Sequence, residues 1–209
     1  MRSVARNHMA AGAAFVCMAL FSCSGGDSGS VELGIAAFDS GDFATALKEF
    51  RSLAREGNAE AQYKLGEMYF SGLGVAKDYA KARFWYLKAA QQGVVEAQFN
   101  LGELYGKGLG TPKDHVKAGN WYRLAADQGH PRAQFNLGSG YANGQGVKQD
   151  VVLAYMWYAL SAQQGDVKAV ESRALLSKEL TPAQVAEGQK LLSEWKPKKE
   201  KEREKLAVN

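Results

Sequence analysis

AQYKLGEMYFSGLGVAKDYAKARFWYLKAAQQG, beginning at Ala61, is followed by AQFNLGELYGKGLGTPKDHVKAGNWYRLAADQG from Ala97 and AQFNLGSGYANGQGVKQDVVLAYMWYALSAQQG from Ala133. Both steps are 36 residues, and the coincidences are dense: Leu65/Leu101/Leu137, Gly66/Gly102/Gly138, Tyr69/Tyr105/Tyr141, Asp78/Asp114/Asp150, Trp85/Trp121/Trp157 and Gly93/Gly129/Gly165. Self-similarity at a fixed period of this length is the signature of a repeat architecture, in which each unit buries its apolar face only against its neighbours.

Within one copy the spacing predicts two helices. Ala61, Leu65 and Tyr69 fall four residues apart, one stripe of a first helix. Gly72 and Gly74 break it, and Asp78 is an N-cap for a second helix striped by Ala82, Tyr86, Ala89 and Ala90. Gly93 stands where a helix end favours a left-handed residue. Gly66, Ala82 and Ala89 are small where two antiparallel helices cross, while Tyr69, Trp85 and Tyr86 fill the space between units.

The scheme extends both ways. Upstream, Leu33-Gly34, Ala37, Gly41-Asp42-Phe43, Ala46, Phe50 and Gly57 repeat it with a loop about four residues shorter, which resembles a tetratricopeptide unit. Downstream the pattern decays from Ala169, and Thr181-Pro182-Ala183-Gln184 opens a capping helix running to about Trp195. That helix is expected to cover the last open face of the stack. The resulting division is a leader over 1–22, a Gly/Ser-rich tether over 23–32 and a degenerate unit over 33–59. Repeats over 60–95, 96–131 and 132–167 follow, then a cap over 168–195 and a charged tail over 196–209.

The pattern Ala-Gln-[Tyr/Phe]-x-Leu-Gly-x-x-Tyr, a Gly-x-Gly turn, Lys-Asp, Trp-Tyr, Ala-Ala and Gln-Gly resembles the Sel-1-like repeat, a relative of the tetratricopeptide repeat. The resemblance covers about 33–195. Copy three departs at Gly140, Gln149 and Ser161, and copy two carries Thr111-Pro112 in its loop. The resemblance implies an all-α solenoid of stacked antiparallel helix pairs. It also implies binding of other proteins through a curved surface, often in bacterial envelopes or secreted proteins.

Composition agrees with a folded body. The chain has 209 residues, 46% of them apolar and 23% charged, with a net charge of +4. That apolar share and low charge exclude a disordered chain. The basic excess lies at the ends, and residues 23–195 carry 18 basic and 19 acidic side chains. A near-neutral body argues against a nucleic-acid surface.

Arg2 and Arg6 precede an uncharged apolar run from Met9 to Phe21, too short to span a bilayer and suited to a signal peptide. Leu20-Phe21-Ser22-Cys23 resembles a bacterial lipobox, departing from it at Phe21, and predicts a lipid on Cys23 after cleavage. Cys17, behind Val16, is the poorer candidate and leaves with the leader. The mature chain then has no disulfide, and more than one acyl chain would anchor it firmly. Ser24 is not the Asp-type signal for inner-membrane retention, so the expected location is the periplasm-facing envelope, at the outer rather than the inner membrane.

Little in the chain points to chemistry. His115 and His130 have no second histidine or carboxylate at ligand spacing, so no metal site and no cofactor are expected. Gly102 to Lys107 is one residue short of a phosphate loop and lies in a helix. Ser193-Glu194-Trp195-Lys196 matches Ser-x-x-Lys, but Ser-Asp-Asn and Lys-Thr-Gly are missing. Glu67 and Glu103 recur at one register without implying a polar pocket. The tail from Lys196 to Asn209 mixes signs, reads as solvated, and its loss is expected to leave folding unchanged.

The expected binding surface is the concave one, lined by first helices. By the tetratricopeptide pattern its outward positions are Lys64, Glu67, Asn100, Glu103, Asn136 and Ser139. The asparagines can donate to and accept from a partner's backbone. Tyr63, Phe99 and Phe135 add apolar contact or serve packing. The function read from the sequence is a non-enzymatic scaffold or adaptor at the bacterial cell envelope. It binds a protein or peptide and contacts the membrane through Cys23, with no nucleic-acid partner or small-molecule substrate. The rival readings are an envelope enzyme acting on peptidoglycan or β-lactams and an outward-facing host-interaction protein.

Overall fold

A computed structural model of the chain describes residues 30–198. Among the described residues there are ten helices and no strand. They form consecutive pairs: α1 (Val31–Ser40) with α2 (Phe43–Arg55), α3 (Ala59–Ser71) with α4 (Tyr79–Gln91), α5 (Val95–Lys107) with α6 (His115–Asp127), and α7 (Pro131–Asn143) with α8 (Val151–Gln163). Each second helix also packs on the first helix of the next pair, and α9 (Val167–Ser177) begins a fifth layer on α8. The architecture is an α-solenoid, as the spacing predicts.

The helix starts follow from the sequence. Asp42, Asp78, Asp114 and Asp150 each accept a backbone N–H from the first turn of α2, α4, α6 and α8, answering one of the unpaired donors there. The first helices are capped less uniformly. Asn58, His130 and Asp166 accept the corresponding N–H for α3, α7 and α9, whereas Val94 gives α5 no side-chain cap.

Close crossing of the paired helices depends on one glycine per unit. A Cβ on Gly66 would come within 2.5 Å of the Tyr86 ring, on Gly102 within 2.4 Å of Tyr122, and on Gly34 within 2.6 Å of Phe50. An aromatic ring of the second helix therefore packs directly against bare backbone, and burying such a ring contributes about 2 kcal/mol. In the Gly-x-Gly turns the second glycine approaches the preceding unit: a Cβ on Gly110 would sit 2.5 Å from the Tyr79 carbonyl carbon.

Two recurrent glutamines in each copy hold the layers together. Gln62, Gln98 and Gln134 are buried and donate to the carbonyls of Ala54, Ala90 and Ala126, at the end of the preceding second helix. Their own carbonyls accept from Gln92, Gln128 and Gln164, at 2.8, 2.7 and 2.8 Å. A buried amide must find such partners, since leaving one unmade costs about 1–3 kcal/mol.

The cap differs from expectation. α10 (Pro182–Glu194) starts with the predicted capping box between Thr181 and Gln184, but it folds back onto α8 instead of closing the end of the stack. Gly188 meets the Tyr155 ring, and Trp195 packs edge-on against Trp157 at 6.3 Å. The outer side of α9 stays open, with Val167, Val170 and Leu175 exposed. The first residues after α10 are also held: Lys198 donates its backbone N–H to the Asp127 carbonyl and its ammonium to the Asp127 carboxylate at 2.8 Å. The start of the tail, read as solvated, is thus seated on α6. Cys23, the leader and the tail beyond Lys198 lie outside the described residues.

Candidate functional site

Lys64, Glu67, Asn100, Glu103, Asn136 and Ser139 all lie half-buried on α3, α5 and α7. The structure gathers them into a polar row whose members bond to one another and to tyrosines of the second helices. Glu67 accepts from Tyr63 and Lys64, both at 2.9 Å. Glu103 accepts from Tyr122 at 2.7 Å, from Asn136 at 3.0 Å, and from Lys107. Ser139 accepts from Tyr158 at 3.1 Å.

Asn136, expected to face a partner's backbone, thus spends a donor on Glu103 of the neighbouring unit. An amide one layer along is always in reach, whereas a partner is present only when bound. The same holds for the aromatics beside them. Tyr63 pairs with Tyr86, Phe99 stacks on His130 at 4.5 Å, and Phe135 pairs with Tyr158, so all three pack within the protein.

Electrostatics follow from these partners. Burial pushes the Glu103 carboxyl up, but the bonds from Lys107, Tyr122 and Asn136 outweigh it and hold the group below the usual carboxylate range. Glu103 is therefore a charged, thrice-donated anion at neutral pH. Burial, with Glu67 beside it, pushes the Tyr63 hydroxyl well up; burial and Glu103 do the same for Tyr122. Burial lowers His130, whose Nδ1 accepts the Ala133 N–H as the cap of α7, a role that requires the neutral ring.

Near one of the recurring acids, Glu103, the structure holds a pocket that the sequence did not imply. Glu103, Asn136 and Ser139 line a half-open pocket of about 210 Å³ between repeats 2 and 3, with Lys107, His115 and Gln145 on its rim. It exists because three glycines, Gly106, Gly119 and Gly140, withhold side chains that the other joint supplies. The corresponding residues between repeats 1 and 2 are Phe70, Arg83 and Leu104. Gly140 already stood out in the sequence as a departure; Gly106 and Gly119 carried the same signal at their own registers.

A second feature escaped the sequence because it breaks the 36-residue register. Arg51 donates to the Tyr69 hydroxyl at 3.1 Å, Arg83 to Tyr105 at 3.5 Å, and Arg123 to Tyr141, each reaching one unit onward. Arg83 lies one helical turn earlier in its unit than Arg51 and Arg123 do in theirs, and Gly119 occupies the vacated place in repeat 2. Among the described residues no group of three or more His, Cys, Asp or Glu side chains gathers as a metal site. His115 instead meets the Gln145 amide at 3.2 Å.

Comparison with known proteins matches the Sel1 repeat model three times, over residues 59–94, 95–130 and 131–166. No curated protein matches. Among solved structures, a Sel1 repeat protein from Oxalobacter formigenes is 37% identical with a TM-score of 0.67, over 70% of this chain and 60% of that one. A protective antigen present in uropathogenic Escherichia coli strains, displaying an SLR fold, is 29% identical with a TM-score of 0.56, over 82% of this chain and 47% of that one. The chain thus spans roughly half to three fifths of the length of these relatives. Such repeats typically mediate contacts between proteins. Three matched repeats, joined through the glutamines and glycines that define their spacing, place the chain in the Sel1 repeat family.

Proposed function

We propose that the chain is a non-enzymatic scaffold that binds a protein or peptide along the first-helix face, held at the bacterial cell envelope by a lipid on Cys23. The observation that carries this reading is the polar row on α3, α5 and α7. It runs across three units, keeps its side chains half-exposed and opens into one pocket. A surface built this way offers a series of fixed donors and acceptors to an extended partner, with the cost of ordering them already met in folding.

The test is partner capture in native envelopes with a photo-crosslinking residue at Lys107, on the pocket rim, and a control at Lys88, exposed on α4. A discrete protein adduct at Lys107 alone supports the first-helix face as the binding surface. Equal adducts at both positions, or none, overturn it. Mass spectrometry of the mature N-terminus checks the anchor: a lipidated Cys23 is expected, and an unmodified one refutes it. The relative described as a protective antigen favours a second reading, in which the same surface faces outward. Protease cleavage in intact cells is the outcome expected of that second reading.

A further inference from the structure

We propose that the pocket between repeats 2 and 3 receives one aliphatic side chain, leucine or methionine, from the bound polypeptide; this deepens the reading given under Proposed function and rests on it.

The argument begins with what fills the same space elsewhere. Between repeats 1 and 2, Leu104 is fully buried beside partly buried Phe70, and at the joint before it Met68 is fully buried in Leu104's register. Between repeats 2 and 3 the equivalent positions are Gly140 and Gly106, with Gly119 replacing Arg83. The register that carries a buried leucine or methionine at the two preceding joints is thus left bare at Gly140.

Helix crossing does not demand these glycines, although a Cβ on Gly140 would stand 3.0 Å from the Gln145 carbonyl oxygen and one on Gly119 3.3 Å from that of Gly146, both in the following loop. A Cβ on Gly102, which does sit at the crossing, would meet Tyr122 at 2.4 Å, but one on Gly106 would meet nothing nearer than 3.6 Å. The consequence reaches the core. Buried apolar residues divide into two clusters within repeat 2, one ending at Ala118 and the other including Leu137 and Phe99. The pocket touches both, with Ala118 and Leu137 in its lining. An aliphatic side chain seated there joins the two clusters and removes apolar surface from water on both sides.

Charge selects the same class of occupant. Glu103 is the one carboxylate in the lining, and Lys107, Tyr122 and Asn136 already donate to it. The pocket offers no unpaired charge to a charged insert, and a desolvated charge without a partner is strongly disfavoured.

The experiment titrates the full-length chain with N-acetyl-leucine-N-methylamide and its methionine, lysine and glutamate counterparts, followed by 15N–1H NMR. Saturable shifts centred on the Gly106, Gly119 and Gly140 amides are expected, with the leucine and methionine probes at least about tenfold tighter than the charged ones. Gly140→Leu, which restores the repeat 2 residue, is expected to abolish them. Gly106→Phe, which restores the repeat 1 residue where space exists, is the second plug if the first variant fails to fold. No saturable shift at these glycines, equal affinity for the charged probes, or binding that survives a folded plugged variant overturns the proposal. Crosslinking at Lys107 without leucine-probe binding overturns this inference alone. Probe binding without a partner adduct overturns the scaffold reading alone.

Discussion

The joint between repeats 1 and 2 and the joint between repeats 2 and 3 share two main connecting devices but not their filling. Both have a buried glutamine bonded to the preceding helix end, Gln98 to Ala90 and Gln134 to Ala126. In both, a loop glycine abuts the previous unit's second helix, Gly110 at Tyr79 and Gly146 at His115. They differ where Phe70, Arg83 and Leu104 give way to Gly106, Gly119 and Gly140. The lesson is that stacking and pocket formation are separable. Polar bonds and main-chain contacts set how units join, and apolar side chains decide whether the joint is solid or open.

The comparison can be broken most severely at the shared bonds. Gln98→Ala and Gln134→Ala are each expected to cost about 2–3 kcal/mol, by cavity and by unpaired carbonyls. Urea midpoints should fall equally for the two; a loss at only one joint would mean that the joints are not held alike. Next comes the glycine contrast within α5. Gly102→Ala drives a methyl into the Tyr122 ring and should cost about 2 kcal/mol. Gly106→Ala, with room around it, should gain about 0.5–1 kcal/mol from helix propensity. The same denaturation series reads both, and the expected signs are opposite.

Caps sharpen the comparison further. Asn58, Val94, His130 and Asp166 hold one register, and Val94→Asp should add about 1 kcal/mol by giving α5 the side-chain cap it lacks. The smallest effect is a pH dependence at the second joint. Burial holds the native His130 value below 6.5, so its contribution to stability is complete above 6.5 and is lost as pH falls through the lower native value. His130→Asn, which keeps an acceptor at the cap, should flatten the difference in urea midpoint between pH 7.5 and pH 5. An unchanged difference would show that the cap does not titrate.

Much of the fold was legible because repetition turns weak local signals into strong ones. A single Asp78 is a plausible cap; Asp78, Asp114 and Asp150 at equal steps are a rule, and each caps a helix. The six candidate positions came from the likeness to the tetratricopeptide pattern, and they lie on α3, α5 and α7. Their bonding was not legible, because whether Asn136 faces a partner or Glu103 depends on contacts between units that no single helix pattern encodes. The fold-back of α10 was hidden for a similar reason: a helix stripe reports that a face is buried but not against which neighbour. The arginine-to-tyrosine bonds were hidden by their shifted register.

The glycine seats carry one more consequence. Gly110 rests on the peptide between Tyr79 and Ala80, and Gly146 on the His115 carbonyl, so the spacing of successive layers is gauged main chain to main chain. A gauge without side chains does not drift when side chains change. The first-helix face can therefore be rewritten, residue by residue, while every layer keeps its height above the last, which makes this stack a ruler.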